Sequence, residues 1–242
     1  MNDVSFEELL LLGAERRMEG IYTSMPCIIT HIPNGLRDMR IDVQPAINVD
    51  YAGEGDEHTQ ILGVPLIFPS SKTAMLSFPL AVGDTVFCSF SQRAMDNFKQ
   101  GTGQPTVVAD LRMFDVQDAV AIPGLFPFSE SRNDQSKRSW PHNTADTVLA
   151  TNLGTGTEVE IRMTPGGVLT INTNQTVNVN CTTANITASN MKVDVQNTVW
   201  SGNMTFNGDI THNGTYTLDG IVMNSHVHSG IQSGPSKTAG PE

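Results

Sequence analysis

VLTINTNQTVNVNCTTANITASNMKVDVQNTVWSGNMTFNGDITHNGTYTLDGIVMNSHVH, from Val168 to His228, is the stretch on which the fold turns. Between Asn172 and Thr217 it holds ten Asn and ten Thr but three charges, Lys192, Asp194 and Asp209. Apolar residues come in pairs two apart: Leu169/Ile171, Val177/Val179, Ala184/Ile186, Val193/Val195, Met204/Phe206 and Tyr216/Leu218. A spacing of two puts each pair on one face of a strand. The pairs recur every seven to twelve residues or so, with Asn, Gly or Ser between them, which predicts a series of short strands with a polar corner after each. A single chain folded this way leaves apolar stripes and strand edges uncovered. Three chains wound about one axis bury the stripes and pair the edges. The expectation is a rod with a tip at Asn224-Ser-His-Val-His228, followed by a Gly/Pro/Ser-rich tail.

Outward from that rod, the composition sets limits. The chain has 242 residues, 38% of them hydrophobic and 6% aromatic, which suits thin β-structures better than one large globule. A formal charge of −11 disfavours a nucleic-acid partner. Cys27, Cys88 and Cys181 are odd in number and far apart, so no disulfide framework is expected and each reads as a small buried residue. Met1-Asn-Asp-Val has no basic region and the Leu9–Leu12 run is too short for a signal or membrane segment, so synthesis in a bacterial cytoplasm is expected.

Ser5 to Met18 predicts a short helix, with Ser5 as cap, Glu7 and Glu8 in the first turn, Arg16 and Arg17 near the end and Gly20 beyond. Five β segments follow: Cys27–Ile32, Met39–Ile47, Leu62–Phe68, Met75–Leu80 and Asp84–Phe90, the last leading into a short helix or turn over Ser91–Phe98. Five strands in about ninety residues predict a small closed barrel such as an OB fold. The prolines 123, 127 and 141 and the polar run Ser129–Arg138 read as a neck or linker. Thr147–Leu149, Glu158–Met163, the turn Pro165-Gly-Gly167 and Val168–Asn172 read as a hairpin leading into the rod. The expected organisation is a helical segment over 1–20, an OB-fold domain over 21–116, a neck over 117–146, a β-helix shaft over 147–223 and an apex over 224–242. The fold class is all-β.

Tyr22-Thr-Ser-Met-Pro-Cys-Ile28, Ile41-Asp-Val-Gln-Pro45, Val64-Pro-Leu-Ile-Phe-Pro69, Phe78-Pro-Leu-Ala-Val-Gly-Asp84 and Asp118-Ala-Val-Ala-Ile-Pro-Gly124, in that order, resemble the OB-fold domain of central spike proteins of contractile-tailed phages. The C-terminal half is similar to their intertwined trimeric β-helix with its His-x-His tip. The resemblance implies a homotrimer in the virion, at the tip of the tail baseplate. It would be held by baseplate hub and tail tube proteins and driven through the host outer membrane when the sheath contracts. It also implies one iron ion per trimer, bound by two tip histidines from each chain, here His226 and His228.

The residues support that metal site on their own terms as far as geometry goes. Positions i and i+2 of a strand point to one side, so three strands about a three-fold axis would aim six imidazoles at one point. Six ligands suit an octahedral transition metal, whereas zinc takes four; iron is named by the resemblance alone. Such an ion has no open coordination position, so its expected role is structural. His31, His58, His142 and His212 fall in polar contexts and read as solvated. Asp84 and Asp96 with Arg93 read as turn and strand-end residues, and the Asn-x-Ser/Thr patterns as products of composition. With no nucleophile–base set, phosphate loop or catalytically spaced carboxylate pair, no enzyme activity is expected. The rival readings are a carbohydrate-binding OB or β-helix module and a polysaccharide-degrading tail protein.

Overall fold

The computed structural model describes residues 5–50, 55–56 and 58–227. The chain divides into two units, Met1–Val179 and Asn180–Glu242.

The first unit opens with helix α1 (Phe6–Glu19). The Ser5 hydroxyl accepts from the Glu8 amide at 3.2 Å while the Glu8 carboxylate accepts from the Ser5 amide at 2.8 Å. This reciprocal cap satisfies two donors that a helix start otherwise leaves unpaired. Leu9, Leu10, Leu11 and Leu12 are all about half exposed. At 3.6 residues per turn, four successive leucines point in every direction around the helix rather than along one stripe.

The barrel is built from β1 (Ser24–His31), β2 (Arg40–Pro45), β5 (Ile61–Pro65), β6 (Thr85–Phe90) and β7 (Ala119–Pro123). The short strands β3 (Val49–Asp50) and β4 (Gly55–Asp56) form a separate two-stranded ribbon. The sheet order is β5-β2-β1-β6-β7, all antiparallel neighbours. It curls until β5 and β7 meet: Leu66 bridges Ala121 in parallel, and the Ile67 amide donates to the Ala121 carbonyl at 2.8 Å. Alternation decides what faces inward. Cys27 and Ile29, Ile41 and Val43, Val86 and Cys88, and Ala119 and Ala121 are fully buried at spacing two. In β5 the inward residues Ile61 and Val64 are three apart, because the ladder shifts register there. Gly63, at φ 63°, forms that bulge and donates its amide to Asp42 at 2.7 Å.

Two expectations about the barrel are corrected. Met75–Leu80 is not a strand; only Ser70 and Met75 make an isolated bridge. Met75, Leu76 and Phe78 remain substantially exposed, and Pro79 has no amide to give a ladder. The fifth strand is Ala119–Pro123, so the barrel continues past residue 116 into what reads as neck. The expected helix at Ser91–Phe98 starts later, as α2 (Asp96–Gln100).

A three-stranded antiparallel sheet follows, in the order β10-β9-β8: β8 (Thr147–Thr151), β9 (Val159–Met163) and β10 (Leu169–Thr173). Ile161 lies opposite Leu149 on one side and Ile171 on the other. These three, with Met163 and Leu169, are 36% to 64% exposed. The opposite face carries Glu160, which is fully buried, as is Glu158 just before the strand. Burial here is inverted: the charged face is covered and the apolar face is bare.

Residues 174–216 contribute to no ladder within the chain. All of them are exposed, among them Val177 and Val179 in the first unit and Ile186, Val193, Val195, Trp200 and Phe206 in the second. Cys181, expected to be buried, is exposed, whereas Cys27 and Cys88 are buried in the barrel.

From Ser201 the second unit has a strict six-residue period: SGNMTF, NGDITH, NGTYTL, DGIVMN. Each repeat has Gly second, and Gly202, Gly208 and Gly214 all take left-handed φ, at 118°, 147° and 134°. A side chain is strained there, so glycine marks the same corner in each repeat. The last two repeats meet in a hairpin of β11 (Thr217–Leu218) and β12 (Ile221–Val222), turned by Asp219 and Gly220 at φ 49° and 79°. Positive φ at both central residues is the turn that Asp-Gly favours.

Candidate functional site

The residues expected to form the apex follow that hairpin. The Met223 amide donates to the Tyr216 carbonyl at 2.8 Å, extending the pairing by one residue on each side. Asn224 then clamps the opposite strand: its carbonyl oxygen accepts from the Tyr216 amide and its amide donates to the Gly214 carbonyl, both at 3.2 Å. His226 follows two residues later and is exposed, with Nδ1 3.0 Å from the Met223 carbonyl. With the proton on Nδ1, that carbonyl orients the ring, as a backbone carbonyl commonly does beside a metal-binding histidine. His226 therefore fits a metal ligand. His228, the other sequence-predicted ligand, lies outside the described residues. Among the described residues no group of three or more His, Cys, Asp or Glu in the chain could hold a metal ion. His212, expected to be solvated, is exposed in the chain, and its ring packs on that of Tyr216 with centroids 5.7 Å apart.

A second constellation was not foreseen. The polar run ending in Arg138 is a strap folded onto the charged face of the β8–β10 sheet, and the side chain of His142, expected to be solvated, is 2% exposed. The Arg138 side chain is 5% exposed; its Nε is 2.7 Å from Glu158 and its terminal nitrogen 3.2 Å from Glu160. Glu158 also accepts from the amides of Ser139 at 2.9 Å and Gly154 at 2.7 Å. Glu160 accepts from Asn172 at 3.1 Å and has His142 Nδ1 at 3.4 Å and Arg162 Nε at 3.6 Å. Gln135 holds the other side of His142, accepting from its backbone amide at 2.6 Å. Burial pushes the Glu158 carboxyl up, but the Ser139 and Gly154 amides and the Arg138 guanidinium outweigh it and hold the carboxyl below its ordinary range. Gly154, at φ 70°, lets the strap approach: a Cβ there would come within 2.3 Å of the Lys137 carbonyl oxygen. Glu158 and Glu160 are both fully buried and clasped by Arg138, which ties the strap to the sheet.

A third network fastens the long loop between β6 and β7. Arg112 binds the fully buried Asp118 through Nε at 2.7 Å and a terminal nitrogen at 2.9 Å, and also binds Asp96. The Met95 amide donates to the same Asp118 at 2.8 Å. Asp96, weighed earlier with Asp84 and Arg93, thus serves the loop, and Asp84 accepts from the Ala81 amide at 2.7 Å within its turn. Beside this loop an open groove is lined by Arg40, Gln60, Leu62, Phe98, Lys99 and Gln117.

No sequence signal marked the Arg138 or Arg112 networks, since their partners lie up to 23 residues apart along the chain. The six-residue period was readable from the glycines alone.

No curated protein matches the chain. Residues 25–124, from the start of the barrel to just past β7, match the family model described as the N-terminal domain of phage protein Gp138. The barrel is therefore similar to a phage-protein domain, and that similarity suggests a structural protein associated with a phage virion.

Proposed function

We propose that the chain is one of three identical subunits of the central spike of a contractile phage tail baseplate. In this reading residues 21–123 form an OB-fold barrel, which baseplate hub and tail tube proteins hold. Residues 147–223 intertwine with two other copies as a β-helix shaft, and the apex crosses the host outer membrane when the sheath contracts. The strand order β5-β2-β1-β6-β7 with a parallel β5–β7 contact supports the OB assignment.

One observation carries the trimer: the inversion of burial after residue 146. The β8–β10 sheet buries Glu158 and Glu160 yet leaves Leu149, Ile161 and Ile171 bare, and the shaft segment exposes each of its apolar pairs. A run of more than forty residues without backbone pairing, with its Val, Ile, Trp and Phe side chains all exposed, is not a stable end state in water. Two further copies supply both the missing strands and the missing core. At the apex His226 and His228 would contribute six imidazoles to one iron ion, pinning three chain ends where little apolar surface is available. Intertwined chains must disentangle to unfold, so the trimer is expected to survive an unheated SDS gel. Migration as a single chain without heating would count against the intertwined shaft.

The groove at Arg40, Gln60, Phe98 and Lys99 supports a second reading, a saccharide-binding barrel. Retained cell attachment by a variant carrying Phe98→Ala and Lys99→Ala would remove it, and loss of attachment with normal assembly would favour it.

A further inference from the structure

We propose that the three copies of His212 form a second metal site inside the shaft, separate from the histidines of the apex. The inference rests on the trimeric reading above and adds a site to it.

The six-residue period carries the argument. Counting each repeat from the residue before its glycine, positions four and six of the first three repeats are Met204 and Phe206, Ile210 and His212, then Tyr216 and Leu218; the fourth, at the hairpin, has Val222 and Asn224. Spacing by two puts both positions of a repeat on one side of its strand. They hold the apolar pairs, so they face the axis of the assembled shaft. His212 therefore occupies the place taken by Phe206 one repeat before and Leu218 one repeat after. Its ring packs on Tyr216, a position-four residue, so imidazole and phenol share a side of the chain. The recurring left-handed glycines 202, 208 and 214 show that the period exists in the backbone as well as in the letters.

Three-fold symmetry then places three imidazoles in one layer between apolar layers. Three buried imidazoles without partners are costly. Residues 201–227 contain Asp209 and Asp219 but no Lys or Arg, so the surroundings favour a cation over an anion. Three neutral imidazoles plus one water or chloride make a four-coordinate site for a borderline transition metal of the zinc or cobalt type. This differs from the six-imidazole geometry expected at the apex.

The test uses the full chain, expressed in cobalt-supplemented medium so that the ion is present as the chains assemble. Metal content and visible spectra are read together with mass in solution. The wild type should carry two cobalt ions per three chains, one of them with the stronger visible bands of a four-coordinate site, which has no centre of inversion. His212→Leu, which installs the side chain of the next repeat, should keep the trimer, lose one ion and lose those bands. The double change His226→Ala and His228→Ala should lose the other ion and keep them. An unchanged cobalt content and spectrum in His212→Leu, or a single ion in the wild type that only the apex variant removes, overturns the proposal while leaving the spike reading in place. A single-chain mass overturns the spike reading itself, and this site with it.

Discussion

Replacing Arg138 by Met keeps the length of the stem and removes the charge that closes the strap. The side chain is 5% exposed and contacts Glu158 at 2.7 Å and Glu160 at 3.2 Å, both fully buried. Removing one partner of a buried ion pair strands the other, at about 3–5 kcal/mol. Here two carboxylates are stranded on one face, with His142 and Arg162 as the remaining cations nearby. If the strap opens locally, that cost appears in its opening equilibrium. Tryptic cleavage at Lys137 should then accelerate by roughly a hundredfold to a few thousandfold, at about 1.4 kcal/mol per factor of ten. The acid side of the same clasp has a definite sign. Glu158 is held below its ordinary range when folded, so its contribution is complete above the unfolded carboxyl value of about 4.3 and is lost as pH falls through the lower folded value. Amide exchange at Ser139 and Gly154, corrected for intrinsic rates, should therefore be flat from neutral pH to about 5 and rise below about 4. A cleavage rate in Arg138→Met within threefold of wild type would refute the claim that this cluster holds the strap.

Other consequences are open to direct measurement. Gly154→Ala combines a left-handed φ with a Cβ 2.3 Å from the Lys137 carbonyl oxygen, so it should release the same strap and raise the same tryptic cleavage without altering any charge. Ile41→Ala empties part of the barrel core, where Ile41 is fully buried, and should lower barrel stability by about 2–5 kcal/mol by denaturant unfolding. A thiol reagent should leave Cys27 and Cys88 unmodified in the native protein, and should also spare Cys181 if the shaft is intertwined; one rapidly reacting thiol per chain is the result for a chain standing alone. Val193→Asp should prevent assembly, because three like charges would meet near one axis at a cost of several kcal/mol, whereas in an isolated chain Val193 is exposed and the change would be nearly neutral.

Strong local patterns carried most of the legible fold. Alternation marked β1, β2 and β6, where Ile29, Val43 and Cys88 face inward as their parity requires. Ser5 and Glu8 announced the helix cap, and Pro165-Gly-Gly167 the link between β9 and β10. Ala119–Pro123 was lost because a short, proline-ended strand beside a proline-rich run has little periodicity to show. Met75–Leu80 was mistaken for a strand because apolar content outweighed Pro79. The clasp could not be read, because an arginine and two glutamates some twenty residues apart carry no spacing rule; only the fold brings them together. Asp219-Gly220 is a plain turn signal set between two apolar pairs, and it makes the hairpin that precedes His226. The six-residue period was likewise present in the letters, and on the proposal above it moves His212 from a polar corner to an axial position.

The central claim is that this chain completes its core and its strand pairing with two further copies of itself. Light scattering coupled to size exclusion on the full chain tests that most directly. The account predicts a single species of about 79 kDa, three times the 26.2 kDa chain, unchanged on dilution because intertwined strands exchange slowly. A species of 26.2 kDa, stable and soluble with Val177, Ile186, Val193 and Phe206 left bare, would contradict it.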